Sequence, residues 1–390
     1  MTYPTPYYVI DKETLENGIC KLKNALDKYW GNSIIGYSYK TNSLPWIIKF
    51  YKDKGCYAEV VSDDEYLLAQ SIKTEPGRII YNGMLKSKET FLEAIQNRCI
   101  VNIDSQREID WLEELPGDGG FGVGIRVNFD IEKYCPNQSA CGAEGGRFGF
   151  CYENGEFEKA LNRIISKNIK VDGLHLHVSS KTRSVDIYKA IANVACEIVN
   201  RYGLELSYID IGGGFFGGLE NKPQFNDYIE AVSNILKETV QPHQTTLIVE
   251  PGMSLIGPSI SYETTVIDIK DTTYGRFVIT DGSRMNIDPL MTKKNYFYHY
   301  KLRDNCERVN LPKQVICGYT CIENDRLFEL ENDKELLVGD KLIYDKVGAY
   351  TMCLTPLFIK YFPDVYLKDG ENMKLVMERW LPENYVQNER

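Results

Sequence analysis

Short apolar segments alternate with helical patterns between Glu13 and Glu250, and this alternation constrains the fold more than any other feature of the sequence. The apolar segments, which we predict to be strands, are Ile34–Tyr39, Tyr57–Val61, Ile79–Tyr81, Ile100–Ile103, Val123–Val127, Gly173–His177, Leu206–Ile211 and Leu247–Glu250. The stretches with helical spacing are Glu13–Trp30, Asp63–Gln70, Ser87–Gln96, Ser105–Glu114, Glu156–Ser166, Val185–Tyr202 and Asn226–Thr239. Eight strands that alternate with helices within roughly 220 residues are typical of an α/β fold of the TIM-barrel type, the (β/α)8 barrel. An open, doubly wound sheet is the alternative, because periodicity alone cannot show that the strands close on themselves.

The pattern changes after Pro258, where strand-like segments follow one another with little helix between them. These segments are Ser261–Lys270, Arg276–Thr280, Gln314–Gly318, Arg326–Glu331 and Lys341–Tyr344. They predict a second, all-β domain. Pro6–Ile10 also has strand character and could join that domain ahead of the barrel. We therefore expect a barrel over residues 24–262 and a C-terminal β domain over residues 263–390. The N-terminal strand within residues 1–23 is expected to join the β domain.

Charge and cysteine usage exclude several classes of function. The net charge of −10 argues against nucleic acid or an anionic membrane as a partner. No apolar run approaches the roughly 18–20 residues that a membrane-spanning helix needs, and the first residues do not resemble a signal peptide. The eleven cysteines form no CxxC pair and show no metal-ligand spacing. They predict reduced thiols in a cytoplasmic protein.

Lys40 follows an apolar, strand-like run and precedes two small polar residues. Burial at the end of a strand would lower the pKa of its amine, and a neutral amine can form a Schiff base with a carbonyl. Most lysines are solvent-exposed, so this residue alone does not favour the catalytic interpretation. Residues at the ends of other predicted strands favour the catalytic interpretation.

Ionisable residues lie at or near the ends of several other predicted strands, namely Glu59, Arg126, His175, His177 and Glu250. In a barrel these ends meet at one face, where active sites form. His-x-His can bind a metal ion, but the sequence places no acidic or cysteine ligand cluster beside it, so we expect no metal. A single histidine here is more often structural. Glu250 at the end of an apolar strand needs a partner, and a cationic ring nitrogen would supply one.

Glycines follow the last two predicted barrel strands, at Gly212, Gly213, Gly214 and Gly252. A tight turn is one explanation. The other is a loop whose backbone N–H groups hold a phosphate, which is common after the seventh and eighth strands of barrels. An amine, a carboxylate, a flat polar ring and a phosphate loop together describe a site for pyridoxal 5′-phosphate, with Lys40 as the Schiff-base lysine and His177 stacked on the ring.

The sequence resembles the fold-type III pyridoxal-phosphate-dependent decarboxylases, the group of the diaminopimelate, ornithine and arginine decarboxylases. The motifs that carry the resemblance occur in the family's order along nearly the whole chain. They are Tyr39-Lys40-Thr41-Asn42, Glu59-Val60-Val61-Ser62, Gly173-Leu174-His175-Leu176-His177, Asp210-Ile211-Gly212-Gly213-Gly214, Glu250-Pro251-Gly252, Cys321 with Asp325, and Gly348-Ala349-Tyr350. The resemblance implies an alanine-racemase-like (β/α)8 barrel with a C-terminal β domain.

The resemblance also implies roles for individual residues. Lys40 and Glu250 keep the roles given above, and Glu59, supported by Arg126, would be the acid behind the cofactor. Ser180 and Tyr350 would contact its phosphate. Cys321 would be the catalytic cysteine, which this family donates from the neighbouring subunit of a homodimer. The implied reaction is loss of the α-carboxylate of an amino acid as carbon dioxide, after which Cys321 protonates the α-carbon.

The substrate-reading positions depart from the pattern of the family. Met253 stands where arginine usually follows Glu-Pro-Gly, and Ile322 stands where diaminopimelate decarboxylases carry glutamate, with Glu323 one place later. Asp288-Pro289 stands in place of an Arg-Pro pair, and Arg284 nearby could substitute. We therefore expect either a diaminopimelate-like substrate or a modified or conjugated amino acid. An amino-acid racemase of the same fold and a catalytically silent relative that binds the cofactor are the alternatives.

Overall fold

The computed structural model describes residues 3–116, 120–303 and 307–386. These residues form two compact units. One unit comprises Gly18–Ser254, and the other comprises residues up to Asn17 together with those from Leu255 onward. No helix in the described ranges combines the length and the hydropathy that a membrane crossing requires.

The elements of the described residues are given in chain order. The strands are β1 (Tyr7–Asp11), β2 (Ser33–Ser38), β3 (Tyr57–Ser62), β4 (Ile79–Leu85), β5 (Ile100–Ile103), β6 (Gly122–Asn128), β7 (Phe150–Cys151), β8 (Lys170–His175), β9 (Tyr208–Asp210), β10 (Thr246–Val249), β11 (Ile260–Thr272), β12 (Gly275–Thr280), β13 (Phe297–Lys301), β14 (Asn310–Cys317), β15 (Arg326–Lys334), β16 (Lys341–Asp345), β17 (Asp364–Asp369) and β18 (Asn372–Met377). The α-helices are α1 (Lys12–Tyr29), α2 (Pro45–Asp53), α3 (Asp63–Ser71), α4 (Lys88–Gln96), α5 (Gln106–Leu112), α6 (Glu156–Ser166), α7 (Val185–Tyr202), α8 (Phe225–Leu236), α9 (Met253–Ile256), α10 (Arg284–Ile287) and α11 (Pro382–Tyr385).

The first unit is a closed barrel of eight parallel strands in the order β5-β4-β3-β2-β10-β9-β8-β6. Pairing of Asn102 with Gly124 and of Ile103 with Ile125 joins β5 to β6 and closes the sheet. The predicted barrel is therefore confirmed, and the open sheet is excluded. Two strands differ from the prediction in their bounds. β8 begins three residues earlier than predicted and ends at His175, and β9 covers only three residues.

Amphipathic helices cover the outside of the barrel. In α6, the buried residues Phe157, Ala160, Leu161 and Ile164 recur at the three- and four-residue spacing of one helical face. Most residues of the strands they pack against are buried, as expected for a parallel sheet that is covered on both sides. The helix α2 was not predicted, although Pro45 at its first turn and the buried Ile47 and Ile48 are helix signals.

A tyrosine side chain fills the middle of the barrel. Tyr208 of β9 is buried, and its hydroxyl donates to Asn102 Oδ1 on β5 at 2.8 Å. Its ring occupies space that two glycines leave open. A Cβ at Gly124 would lie 2.2 Å from the Tyr208 hydroxyl, and one at Gly173 would lie 2.2 Å from its ring. Neither glycine can acquire a side chain without moving the ring.

The second unit is a mostly antiparallel sheet in the order β15-β14-β12-β11-β1-β17-β18, and β16 pairs with both β11 and β13. The N-terminal strand β1 lies inside this sheet, antiparallel to β11 and parallel to β17. The predicted all-β character is confirmed. Three strands, β13, β17 and β18, were not predicted. β13 and β18 lack a buried face and show little alternation of apolar residues.

Substitution Gly173→Ala should lower the stability of the barrel by about 1–3 kcal/mol, because the new methyl group would overlap the buried ring of Tyr208. The measurement is the midpoint of thermal unfolding. Gly77→Ala is the matched control, since a Cβ there meets nothing within 4 Å. Equal midpoints for the two variants would contradict the packing account.

Candidate active site

Lys40 and Glu59 form an ion pair at the carboxyl end of the barrel. Lys40 lies in a short 3-10 turn, Tyr39–Thr41, directly after β2, and its Nζ donates to Glu59 Oε2 at 2.5 Å. The Glu59 side chain is 1% exposed and that of Lys40 is 37% exposed. Lys40 is therefore more exposed than we predicted, because the turn places it beyond the end of the strand. Its charge is nevertheless directed to a buried carboxylate.

Two further donors hold the carboxylate of Glu59. The Ser38 hydroxyl donates to Oε2, and Asn82 Nδ2 donates to Oε1 at 3.1 Å. A buried carboxylate is costly unless such donors satisfy it. Asn82 also donates to Glu250 Oε1, so one amide group contacts both carboxylates.

Glu250 follows β10 and lies beside His175 and Asp210. His175 Nε2 is 3.4 Å from Glu250 Oε2, and donor atoms of all three residues lie within 4.8 Å of one another. Our expectation that the histidines have no acidic neighbours was wrong, because β8, β9 and β10 are adjacent in the barrel. Burial and the neighbouring Glu250 raise the pKa of Asp210 well above its usual value, which favours its neutral form. Burial opposes ionisation of Glu250 too, but the neighbouring His175 and Asp210 side chains lower its pKa below the usual range.

His177 lies two residues beyond His175, outside the strand. Its Nδ1 accepts a hydrogen bond from the backbone N–H of Gly213 at 3.3 Å. Burial, with the charges of Arg126 and Lys40 nearby, lowers the pKa of His177 to about 3. The ring is therefore neutral at physiological pH and carries its proton on Nε2, which suits it to packing against a flat ligand.

The glycine loop after β9 packs tightly against its surroundings. Gly212 and Gly214 have positive φ angles of 68° and 95°, and a Cβ at Gly213 would lie 2.0 Å from the carbonyl oxygen of Glu250. The N–H of Gly212 donates to Asp210 Oδ1 at 2.8 Å, and the N–H of Gly213 donates to His177 as described. These two N–H groups, which we assigned to a phosphate, are thus already used within the protein.

Arg126 of β6 pairs with Asp104 rather than with Glu59. Its Nη1 donates to Asp104 Oδ2 at 3.1 Å, and its guanidinium lies 4.6 Å from the centre of the Phe148 ring. Among the described residues, Arg126 Nε is buried without a hydrogen-bond partner. The sequence predicted the position of Arg126 near the site but not the partner of its charge.

In the second unit, Asp325 shapes the loop that carries Cys321. Its carboxylate accepts from the backbone N–H groups of Arg284 and Thr320, at 2.8 and 3.1 Å, and from the hydroxyls of Ser283 and Thr320, at 3.0 and 2.7 Å. Cys321 itself is exposed. Asp325 therefore fixes the ends of a loop that presents the thiol to solvent.

The other candidate residues of this unit differ in their surroundings. Tyr350 is 37% exposed and adopts a left-handed φ of 55°, a strained conformation that is frequent at functional sites. Arg284 is buried and forms an ion pair with Asp288 at 3.0 Å, so its charge is already compensated. Ile322 is half-buried, and Glu323 is exposed and pairs with Arg326 at 3.4 Å.

The groups of the barrel unit fit pyridoxal phosphate. Lys40 offers an amine, Glu250 offers an ionised buried carboxylate, and His177 offers a neutral flat ring beside a tightly turned glycine loop. The buried Arg126 Nε fits a polar ligand group nearby, because among the described residues it lacks a partner.

Two residues of the site were missed in the sequence. Asn82 is a polar residue directly after the predicted apolar strand Ile79–Tyr81, and that position was its signal. Glu65 resembled a helix-capping residue, because it lies three residues after Ser62, whose hydroxyl accepts from the Glu65 N–H. Its side chain instead accepts from the N–H of Val61 at 2.8 Å. Burial, with the charge of Glu59 nearby, raises the pKa of Glu65 to about 7.

Comparison with known proteins identifies related sequences and folds. The family model described as "Pyridoxal-dependent decarboxylase, pyridoxal binding domain" matches residues 16–257. The chain is 26% identical to a diaminopimelate decarboxylase of Aquifex aeolicus, over 98% of this chain and 90% of that protein. It is 27% identical to a probable chloroplastic diaminopimelate decarboxylase of Oryza sativa subsp. japonica, over 93% of this chain and 74% of that protein.

Solved structures show the same fold. The crystal structure of diaminopimelate decarboxylase from M. jannaschii has a TM-score of 0.86 and 23% identity, covering 100% of this chain and 92% of that one. The arginine decarboxylase of Paramecium bursaria Chlorella virus has a TM-score of 0.77 and 22% identity, covering 94% of this chain and 96% of that one. At these identities the likeness concerns the arrangement of strands and helices.

The protein should lose stability as the pH rises from about 5.5 to about 8, and substitution Glu65→Gln should make this loss smaller. The native pKa of about 7 lies above the usual 4.5, so the native state retains a proton that the unfolded state releases. The stability that this proton provides is complete below pH 4.5 and is lost as the pH rises through 7. Glutamine does not titrate.

The midpoint of thermal unfolding at the two pH values measures this effect. The exposed Glu89→Gln on α4 is the control, and it should keep the pH dependence of the unmodified protein. If Glu65→Gln kept that dependence as well, the raised pKa of Glu65 would be contradicted.

Proposed function

The chain belongs to the pyridoxal-dependent decarboxylases, and we propose from this premise which residues hold the cofactor, which move protons and what kind of amino acid is decarboxylated. The enzyme is a pyridoxal-phosphate-dependent decarboxylase. The observation that carries the assignment of residues is the convergence of Lys40, Glu59 and Glu250 at the carboxyl end of the barrel, where two buried carboxylates share one amide donor.

Three residues would hold the ring of the cofactor. We assign the covalent attachment to Lys40, whose amine Glu59 holds at the mouth of the barrel. We assign the pyridine nitrogen to Glu250, because its low pKa keeps it ionised and able to pair with a protonated nitrogen. The neutral ring of His177 would pack against one face of the cofactor.

The phosphate would be held by Gly214, Gly252 and Ser180, with Tyr350 as a further contact. Gly214 continues the tight loop beyond the two N–H groups that are used internally. At Gly252 a Cβ would lie 2.0 Å from the Thr41 hydroxyl, so only glycine allows this close approach. The N–H groups of Gly212 and Gly213 support the loop and the histidine in this assignment.

The chemistry divides between the cofactor and the side chains. Bound pyridoxal phosphate supplies an electron sink for the electron pair left when carbon dioxide departs. Glu59 holds a proton at Lys40 Nζ and orients that amine. Glu250 stays ionised, because the neighbouring His175 and Asp210 side chains lower its pKa. The thiol of Cys321 would deliver a proton to the α-carbon of the product.

The substrate is proposed to be an amino acid with a diaminopimelate-like carbon chain whose far end is modified or conjugated. The related proteins named diaminopimelate decarboxylase support the carbon chain. Three positions support the modified end, because Met253 and Ile322 are apolar and Arg284 is already paired with Asp288. An apolar residue cannot hold a free distal amine as a carboxylate does, which favours a substrate that lacks that amine.

We propose that the enzyme works as a homodimer with sites shared between subunits. Cys321 is exposed on an ordered loop, which suits a thiol that serves a partner subunit. We also place the enzyme in the cytoplasm. Ten cysteines lie in the described residues and all are free thiols, as expected in a reducing compartment.

A carbon dioxide release assay over free and conjugated amino acids tests the reaction and the substrate together. We expect release from an amino acid with a modified distal end, at a higher kcat/KM than from meso-diaminopimelate. Chiral analysis of the remaining substrate should show no inversion, whereas a racemase would invert it without releasing gas. Efficient turnover of meso-diaminopimelate would contradict the proposed substrate class.

A mixing experiment tests the shared site. Lys40→Ala and Cys321→Ala should each be inactive alone, but their mixed dimer contains one site with both residues intact. Random reassortment should therefore restore about a quarter of wild-type activity. Cys20→Ala, an exposed cysteine on α1, should stay fully active as the control. No recovery on mixing would contradict the shared site, and an active Cys321→Ala would contradict the role of that thiol.

A further inference from the structure

Asn82 connects the two buried carboxylates of the site. It lies on β4, is 2% exposed, and uses one amide nitrogen to donate to Glu59 Oε1 at 3.1 Å and to Glu250 Oε1. An amide nitrogen carries two hydrogens, so these two bonds use its full donor capacity. Glu59 is the partner of Lys40, and Glu250 is the carboxylate assigned to the cofactor ring.

The orientation of this amide is set from inside the barrel. Asn82 Oδ1 accepts from Asn102 Nδ2 at 2.8 Å, and Asn102 Oδ1 accepts from the Tyr208 hydroxyl at 2.8 Å. Turning the Asn82 amide over would point its oxygen at two carboxylates and its nitrogen at another donor. The hydrogen-bond chain therefore permits one arrangement.

Packing fixes the far end of this chain. The ring of Tyr208 fills the space that the glycines at 124 and 173 leave open, and its hydroxyl lies within 2.2 Å of a Cβ built on Gly124. The tyrosine is buried within the barrel. The hydroxyl of Tyr208 thus orients Asn102, and Asn102 orients Asn82.

We propose that Asn82, oriented through Asn102 and Tyr208, is a positioning residue that sets the places of Glu59 and Glu250 toward the cofactor. The inference rests on the proposed function, because it takes Glu59 and Glu250 as the residues that face the two ends of pyridoxal phosphate. Asn82 itself acts through these carboxylates. Tyr208 and Asn102 act one step further away.

The chemistry of the bridging group suits this role. A neutral amide can donate to both carboxylates at once, because its nitrogen carries two hydrogens. An apolar side chain of the same size would leave two buried oxygens without this donor, and each carboxylate could then turn toward another partner. The relative placement of the two carboxylates would be lost even if the barrel stayed folded.

The test uses the holoenzyme and three variants, Asn82→Leu, Tyr208→Phe and Tyr51→Phe. Tyr51 is the matched control, because its buried hydroxyl has no hydrogen-bond partner among the described residues and belongs to no such chain. The readouts are the dissociation constant of pyridoxal phosphate by equilibrium dialysis and the visible circular dichroism of the bound cofactor. Thermal unfolding shows separately whether each variant is folded.

We expect Asn82→Leu to weaken cofactor binding by about tenfold or more and Tyr208→Phe by about two- to fivefold, because each removes a buried donor. Both should change the circular dichroism in the same direction, and Tyr51→Phe should match the wild type. Wild-type affinity and spectrum in Asn82→Leu and Tyr208→Phe would overturn the proposal. If Asn82→Leu does not fold, Tyr208→Phe alone decides by the same criteria. Failure of the wild type to bind pyridoxal phosphate would instead refute the proposed function.

Discussion

Two carboxylates, Glu59 and Glu250, lie buried at the carboxyl end of the barrel, and most of the site is arranged around their charges. Removing a carboxylate from water costs several kcal/mol unless donors and cations replace the water. Lys40, Ser38 and Asn82 do so for Glu59. Asn82 does so for Glu250, and the neighbouring His175 and Asp210 lower the pKa of that carboxylate. In the proposed assignment, the reactive carbonyl of the cofactor meets Lys40 beside Glu59, and its basic ring nitrogen pairs with Glu250.

The barrel is what brings these residues together. Lys40, Glu59 and Glu250 are separated by up to about two hundred positions in the chain, yet β10, β2 and β3 are neighbours in the sheet. The interior also contributes below the site, because the Tyr208 ring and the glycines around it define where Asn102 and Asn82 can lie. In the second unit, Asp325 is also a buried carboxylate surrounded by donors, and its hydrogen bonds order a loop.

The sequence predicted those features that local pattern determines. Alternating apolar and helical segments predicted the eight barrel strands. The positions of Lys40 and Glu250 at strand ends predicted that both residues lie at the same face of the barrel. Features that depend on three-dimensional neighbours were not predicted. The pairing of Arg126 with Asp104 depends on strand adjacency, and the role of Asn82 depends on the direction of one amide. Glu65 was hidden, because its spacing from Ser62 is also that of an ordinary helix cap.

Attachment of the cofactor to Lys40 is the central claim, and borohydride reduction tests it most directly. Reduction of the holoenzyme, followed by peptide mapping by mass spectrometry, should place the phosphopyridoxyl group on Lys40. The Lys40→Ala variant should lose the visible absorbance of covalently held cofactor, and Lys49→Ala, an exposed lysine on α2, should keep it. A label on another lysine, or an unchanged absorbance band in Lys40→Ala, would contradict the account.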